Sequence, residues 1–281
     1  MTALHPLANA SYEAKLASLR ERLRSLQGAV VAFSAGVDST MLLHACVAEL
    51  GDRVVAVTAD SPSLPRAELD EARQIANELA ARHVVLPTRE LDNPSYQKNA
   101  GDRCYHCKKE LFVTVAQRRA EIGPMDWPVV YGAIVDDLGD HRPGQRAAAE
   151  HGVLAPLVDA GFSKVDVRRY SRDVGLRTAD KQSFACLSSR VAHGTPIDTA
   201  LLQRSERAEG VLRELGFRQF RVRHHGDLAR LELAPDELAL AVQRREALVE
   251  GVRRAGYLHV TLDLLGYRQG SWHAQQTTPH A

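Results

Sequence analysis

The segment Ala29-Val30-Val31-Ala32-Phe33-Ser34-Ala35-Gly36-Val37-Asp38-Ser39-Thr40 decides the fold. Its apolar opening, 29–33, is a short continuous run, the mark of a strand buried on both faces. Residues 34–40 are small and contain a glycine, so the chain turns there. Residues 41–50 are apolar at helical spacing. A buried strand that leaves its turn as a helix is half of a parallel β-α-β unit. Backbone N–H groups in such a turn, with the positive end of the helix, form an anion site. Small residues let the backbone close on a phosphate, and Ser34, Ser39 and Thr40 add hydroxyl donors. Asp38 would repel a bare anion, so it implies a metal ion on the phosphates. The competing reading is an ordinary helix cap, with Asp38 and Ser39 as capping groups.

The same alternation continues outward. Residues 11–26 place Leu16, Leu19, Leu23 and Leu26 on one helical face. A second strand is expected over 53–58, a helix over 65–82, a third strand over 83–86, a helix over 107–120 and a strand over 129–133. Residues 92–106 read as irregular. This β-α-β-α-β-α-β order predicts an α/β fold with a doubly wound parallel sheet. Residues 178–199 show no period and read as a long loop, which in a compact domain is usually functional. A helix (200–215), two strands (217–223, 229–233), a helix (235–255) and a strand (257–262) then predict a smaller C-terminal α+β domain. The expected domains are 11–178 and 179–270.

Composition narrows the function classes. The chain has 281 residues, enough for one large and one small domain. Lys and Arg total 36 against 35 Asp and Glu, so no global field points to nucleic acid or an anionic membrane. No apolar run approaches the roughly 20 residues of a membrane span. The N-terminus, MTALHPLANASYEAK, lacks a basic stretch followed by an apolar one and does not read as a secretion signal. Four cysteines do not make a disulfide framework, and a reducing cytoplasm is the expected location.

Ser34-Ala35-Gly36-Val37-Asp38-Ser39-Thr40 resembles the PP-loop, SGGxDS, of enzymes that cleave ATP to AMP and pyrophosphate. The resemblance implies an adenine nucleotide alpha-hydrolase-like sheet and an adenylated intermediate. ATP would sit along 34–40, with Ser34, Ala35, Gly36, Val37, Asp38, Ser39 and Thr40 around its phosphates. Ala35 departs from the motif by replacing the first glycine, and alanine suits that place only if its φ is negative. In such folds the end of the second strand, here Thr58 to Asp60, holds the adenine. Gly132, with Asp136 and Asp137 beyond it, ends the fourth strand, where Mg²⁺ or a substrate-side carboxylate is often placed. Ligands bind at the carboxyl edge of a parallel sheet.

Cysteine usage is the second signal. Cys104-Tyr105-His106-Cys107 is a CxxC at a helix start, a position that favours the thiolate. Cys186 lies in the long loop. Cys46 falls among Leu42, Leu43, Val47 and Leu50, which reads as a buried core thiol. For the CxxC, zinc, a redox pair, two unrelated thiols, and an iron–sulfur cluster on Cys104, Cys107 and Cys186 all stay open. Arg190 and Lys181 flank Cys186, where they could stabilise its thiolate or neutralise an acyl phosphate. A salt-bridge role is the alternative for each. On a strand, Arg221 and Arg223 project to one face, and paired guanidiniums suit a phosphate or carboxylate; a solvated face is the plainer alternative.

The whole motif set resembles the LarE family. It comprises Asp102-Arg103-Cys104-Tyr105-His106-Cys107-Lys108, the run from Asp136-Asp137-Leu138 through Gly139-Asp140-His141-Arg142 to Pro143-Gly144, Ala185-Cys186-Leu187-Ser188-Ser189-Arg190 and Gly194-Thr195-Pro196-Ile197. That family inserts sulfur into pyridinium-3,5-dicarboxylate mononucleotide while building the nickel-pincer nucleotide cofactor of lactate racemase. The resemblance implies that ATP with Mg²⁺ adenylates a substrate carboxylate and that Cys186 supplies or delivers sulfur. Asp38, Asp137 and Arg190 would act with Cys186. Arg221 and Arg223 would grip the substrate phosphate, with Lys181 and Ser189 beside it. Some members give up the cysteine's own sulfur. Others, with three cysteines like those here, use a 4Fe-4S cluster carrying an extra sulfide. A homo-oligomer acting on a small-molecule mononucleotide is expected, with no membrane and no nucleic-acid partner. The alternatives are a PP-loop tRNA thiolation enzyme, an NAD- or GMP-synthetase-like amidating enzyme, and a non-catalytic nucleotide-binding module.

Overall fold

All four residues of the first strand, Ala29–Ala32, are buried, and they divide between two hydrophobic cores. Ala29 and Val31 join one core with Leu19, Leu23, Met41 and Ile75. Val30 and Ala32 join the other with Leu111, Phe112, Val115 and Ala147. Alternate side chains of a strand point to opposite faces, so this strand has helices on both sides. A computed structural model describes residues 7, 9–138, 143–182 and 185–268. Residues 139–142 of the acidic run and Ser183 and Phe184 before Cys186 lie outside the described residues, as do those beyond 268.

In chain order the elements are α1 (Tyr12–Arg24), β1 (Ala29–Ala32), α2 (Val37–Leu50), β2 (Val54–Asp60), α3 (Arg66–Glu78), β3 (Arg82–Pro87), α4 (Pro94–Gln97), α5 (Arg103–Gln117), α6 (Arg119–Ile122), β4 (Val129–Tyr131), α7 (Pro143–Glu150), α8 (Pro156–Asp159), α9 (Lys164–Asp173), α10 (Thr199–Glu214), β5 (Phe220–His225), β6 (Leu228–Leu233), α11 (Leu238–Gln243), α12 (Arg245–Arg254) and β7 (His259–Leu262). The chain divides into two units, Met1–Asn93 with Gly101–Phe184, and Pro94–Ala100 with Ala185–Ala281.

The first unit holds a four-stranded sheet in the order β3-β2-β1-β4, with every pairing parallel. This is the α/β doubly wound sheet expected from the alternation. The order reverses at β1, and the loop after β1 therefore opens at the switch point of the sheet, where ligands bind. Local signals set the helix starts. Ser11 accepts the Ala14 N–H at 3.2 Å, and Ser163 and Asp166 form a reciprocal cap on α9.

The second unit has a three-stranded sheet, β5-β6-β7, antiparallel then parallel. Phe220, Val222, Leu231 and Leu233 face a core shared with Leu212, Leu248 and Val252. The short segment 94–100 belongs to this unit although it precedes α5 in the chain.

Several boundaries differ from expectation. The stretch 92–106 is partly helical, because Pro94 opens the turn α4 and α5 starts at Arg103. The helix expected over 65–82 ends at Glu78, and Ala80 turns left-handed at φ 51°. The helix expected over 235–255 is a 3-10 turn followed by α11 and α12, broken at Arg244. Residues 187–190 of the expected loop form a 3-10 turn.

Candidate functional site

The loop between β1 and α2 is laced by its own hydroxyls. Ser39 Oγ accepts the Ser34 N–H at 3.3 Å, lies 3.1 Å from Ser34 Oγ, and donates to the Gly36 carbonyl at 3.2 Å. Gly36 is the N-cap residue of α2 and makes no side-chain cap. Neither Asp38 nor Ser39 replaces it as a cap, since Ser39 is engaged as above and the Asp38 carboxylate reaches Lys164. The anion-binding character of the helix start is therefore left to its first-turn N–H groups. Ser34 is exposed, Val37 is buried, and Thr40 is buried with a hydroxyl that has no hydrogen-bond partner among the described residues.

Ala35 corrects one expectation. Its φ is 56°, so alanine occupies the left-handed region here rather than a negative φ. That conformation costs an L-residue about 1–2 kcal/mol. The Ala35 methyl is fully buried in the main core, which returns about 0.8 kcal/mol. Lys181 Nζ also donates to the Ala35 carbonyl at 3.1 Å. The strained residue is thus held by packing below and an ammonium above, and the loss of the glycine is nearly offset.

Gly132, just after β4, explains itself by contact. A Cβ there would lie 2.8 Å from the Ser39 amide nitrogen and 2.9 Å from the Asp38 carbonyl carbon. The backbone after β4 packs directly on the first turn of α2. Asp38 lies in that turn, and Lys164 Nζ stands 2.7 and 2.6 Å from its two carboxylate oxygens. Asp136 accepts the Lys164 N–H at 2.9 Å, and Asp137 accepts the Ile134 N–H at 3.1 Å. Burial, and then Asp137, push the Tyr131 hydroxyl pKa up.

Other expected positions carry structural bonds. Thr58 is buried and donates to the Phe33 carbonyl at 2.8 Å, with His83 Nε2 at 2.8 Å. Its hydroxyl ties β2 to the end of β1 and to β3. Asp60 pairs with Arg66 at 2.6 Å. Lys181 pairs with Glu68 and Glu71 of α3 at 2.8 and 2.5 Å, and through its bond to the Ala35 carbonyl it braces the loop after β1.

Cys104 and Cys107 occupy the first turns of α5, Cys104 exposed and Cys107 partly so. Tyr105 between them is clamped from α7, with the Arg146 guanidinium 4.0 Å from its ring and Glu150 accepting its hydroxyl at 2.6 Å. Cys46 is wholly buried, as expected, and burial pushes its thiol up to about 12. None of the four cysteines is in a disulfide. Among the described residues no three Cys, His, Asp or Glu side chains stand together as a metal-ligand group.

Cys186 sits in the second unit at the start of the 187–190 turn, partly exposed. Its bed is rigid. Arg190 is 1% exposed and grips Glu209 with two bonds of 2.8 and 2.9 Å. Its remaining nitrogen donates to the Ala185 and Cys186 carbonyls at 2.6 and 3.2 Å and to Ser189 Oγ at 2.9 Å. Arg190 therefore holds the backbone of Cys186; burial lowers its pKa, but the charges of Glu209 and then Cys186 outweigh it and the net direction is up. Burial pulls the Glu209 pKa up, but the charge of Arg190 outweighs it and the net direction is down. Ser189 donates to the Cys186 carbonyl at 2.8 Å. Tyr96 Oη lies 2.7 Å from Ser188 Oγ, and Asn99 Nδ2 donates to the Ala192 carbonyl at 2.7 Å.

Arg221 and Arg223 share the strand face opposite the core of the second unit. Arg223 pairs with Glu232 at 2.8 Å and donates to the Ser189 carbonyl at 2.8 Å. The Arg221 guanidinium lies 5.0 Å from the Tyr267 ring. Burial, and then Arg190, lower the Arg221 pKa. Arg223 is thus bonded to the Cys186 turn, and Arg221 lies within electrostatic reach of Arg190 in that turn.

Sequence reading missed Lys164, Glu209, Tyr96 and Asn99. Lys164 had one available signal, because Ser163 and Asp166 are spaced as a helix cap and put Lys164 at the first helical position. Glu209, Tyr96 and Asn99 meet the Cys186 turn only through tertiary folding.

No protein-family model matches the chain. Similar proteins nevertheless span nearly all of it. It is 34% identical over 262 residues to the pyridinium-3,5-bisthiocarboxylic acid mononucleotide synthase of Lactiplantibacillus plantarum, covering 93% of this chain and 94% of that protein. It is 42% identical over 260 residues to an uncharacterized protein of Synechocystis sp., covering 92% and 96%. An uncharacterized protein of Methanocaldococcus jannaschii is 27% identical over 251 residues, covering 89% and 94%.

Proposed function

We propose that this chain, which belongs to the LarE family, is an ATP-dependent sulfur transferase that converts a carboxylate of pyridinium-3,5-dicarboxylate mononucleotide to a thiocarboxylate in nickel-pincer cofactor synthesis. The observation that carries the reading is the 34% identity over 93% of the chain to a synthase whose name specifies a bisthiocarboxylic acid mononucleotide. Oxide is a poor leaving group, so a carboxylate must be activated before sulfur replaces oxygen. The loop after β1 supports adenylation as that activation. Its helix N–H groups, exposed Ser34 and the close approach of Gly132 make a phosphate cradle.

In the first step a carboxylate oxygen attacks the α-phosphorus of ATP and pyrophosphate departs. In the second a sulfur nucleophile attacks the acyl carbon and AMP leaves. Asp38 and Asp137 supply the carboxylate oxygens that a hard cation such as Mg²⁺ takes, and Mg²⁺ offsets pyrophosphate charge when bound. Arg221 and Arg223 bind the substrate phosphate. Cys186 is the sulfur-bearing residue, and Arg190 with Glu209 positions it.

For a 4Fe-4S cluster the donors fit in kind, being three thiols free of disulfides. Cys104 and Cys107 belong to the first unit and Cys186 to the second. A cluster held by the three would supply an extra sulfide in place of the sulfur of Cys186. The test of the nucleotide half is Asp38→Ala, which abolishes pyrophosphate release while the fold stays intact. Near-normal adenylation in that variant would refute the assignment.

A further inference from the structure

We infer that Lys164 is the residue that meets the departing pyrophosphate, exchanging its hold on Asp38 for the leaving group; this rests on the adenylation reading above. Lys164 opens α9, far along the chain from the phosphate loop, yet its ammonium lies 2.7 and 2.6 Å from both oxygens of Asp38. The base of the residue is fixed. Its N–H donates to Asp136 at 2.9 Å, Ser163 and Asp166 close the cap around it, and Lys15 anchors Asp166 at 2.8 Å. Only the four-carbon stem is left to move, and it ends beside the helix start that binds anions.

The pair has the character of an exchangeable contact. Lys164 and Asp38 side chains are 36% and 26% exposed, and a solvated pair of this kind is held weakly. The neighbouring Lys15–Asp166 pair, at 6% and 15%, is the one that ties the fold. Without nucleotide, Lys164 neutralises Asp38 and keeps a bare carboxylate from repelling the incoming triphosphate. A triphosphate brings more negative charge to the loop than one carboxylate, so the ammonium follows the phosphates and Asp38 is released to the cation that accompanies them. In the transfer, a bond forms between the substrate carboxylate oxygen and the α-phosphorus. The bond from that phosphorus to the bridging oxygen breaks, and its electron pair leaves on pyrophosphate. Lys164 donates a hydrogen bond to that growing charge and gives up no proton.

The experiment compares wild type, Lys164→Gln and Lys164→Arg. Pyrophosphate release is measured with ATP and the dicarboxylate mononucleotide, pyrophosphate affinity by calorimetry, and folding by thermal unfolding. In Lys164→Gln, kcat and pyrophosphate affinity each fall at least about tenfold, the loss of one charge-assisted hydrogen bond. The KM for ATP moves much less, the unfolding temperature holds, and Lys164→Arg recovers most of the rate. A Lys164→Gln chain with the kcat and pyrophosphate affinity of the wild type overturns the inference. So does an activity loss that tracks lost folding in both variants, since the pair is then structural. A wild type that releases no pyrophosphate defeats the adenylation reading instead, and the affinity comparison still decides the role of Lys164.

Discussion

Replacing Arg190 by Met strands a buried carboxylate beneath Cys186. Arg190 and Glu209 side chains are 2% and 5% exposed. After the substitution Glu209 loses both side-chain bonds of the pair and keeps, among the described residues, the Val222 N–H at 3.1 Å and the more distant charge of Arg221. The Ala185 and Cys186 carbonyls and Ser189 Oγ lose a shared donor. Removing one partner of a buried pair costs about 3–5 kcal/mol. With a urea slope of about 1–3 kcal/mol per molar, the unfolding midpoint of the second unit falls by about 1 M or more. Denaturation followed by circular dichroism measures it, and mass spectrometry of thiol-labelled peptides shows Cys186 reacting faster as its turn loosens. Replacing both partners, Arg190→Met with Glu209→Gln, leaves no stranded charge and costs less than Arg190→Met alone. A single-variant loss below about 1 kcal/mol, outside the range for a broken buried pair, would refute the reasoning. A double variant no more stable than the single one refutes it equally.

Gly132→Ala forces a methyl against the backbone of Asp38 and Ser39. It lowers stability by about 1–3 kcal/mol and weakens nucleotide binding, and calorimetry with ATP showing unchanged affinity would contradict the close-packed cradle. Cys46 stays unlabelled by a thiol reagent at pH 8 while Cys104 reacts, because one is buried and the other exposed; equal rates in the native state would disprove that burial. Glu209 has a depressed folded pKa, so its contribution is full above the unfolded value of about 4.3 and is lost as pH falls through the folded one. Acid unfolding is therefore flatter in the Arg190→Met, Glu209→Gln variant, and parallel curves would exclude the linkage. Arg221→Ala raises the Kd of the phosphorylated substrate about tenfold or more while ATP binding holds, and an equal effect on both ligands would show that it is no substrate clamp.

The first unit was legible because its strands are short, apolar and buried on both faces. Ala29 to Ala32 cannot be a surface helix, and the small residues after Phe33 can only turn. The burial of Cys46 was readable from its apolar helix neighbours, whereas α5 starts at Arg103, four residues before the expected helix, with no side-chain cap to announce it. What stayed hidden depends on distance along the chain or on handedness. Lys164 finds Asp38 across 126 positions, and Arg190 finds Glu209 across 19. Side-chain type marked Arg190 as a charge near a thiol; its further part as a brace for the backbone depends on the fold. The φ of Ala35 was misjudged because a left-handed alanine needs support that only the fold supplies, here a buried methyl and the Lys181 ammonium. The break at Arg244 has no proline or glycine to announce it.

The central claim is that ATP cleavage and sulfur insertion occur in one reaction on a dicarboxylate mononucleotide. The most direct measurement is anaerobic incubation of the protein with ATP, Mg²⁺ and pyridinium-3,5-dicarboxylate mononucleotide, following nucleotides by chromatography and the substrate by mass spectrometry. The account predicts AMP and pyrophosphate in step with replacement of one carboxylate oxygen by sulfur, and no sulfur-containing product when Cys186 is changed to Ala. Release of ADP and phosphate, or a thiocarboxylate formed equally well without Cys186, would contradict it.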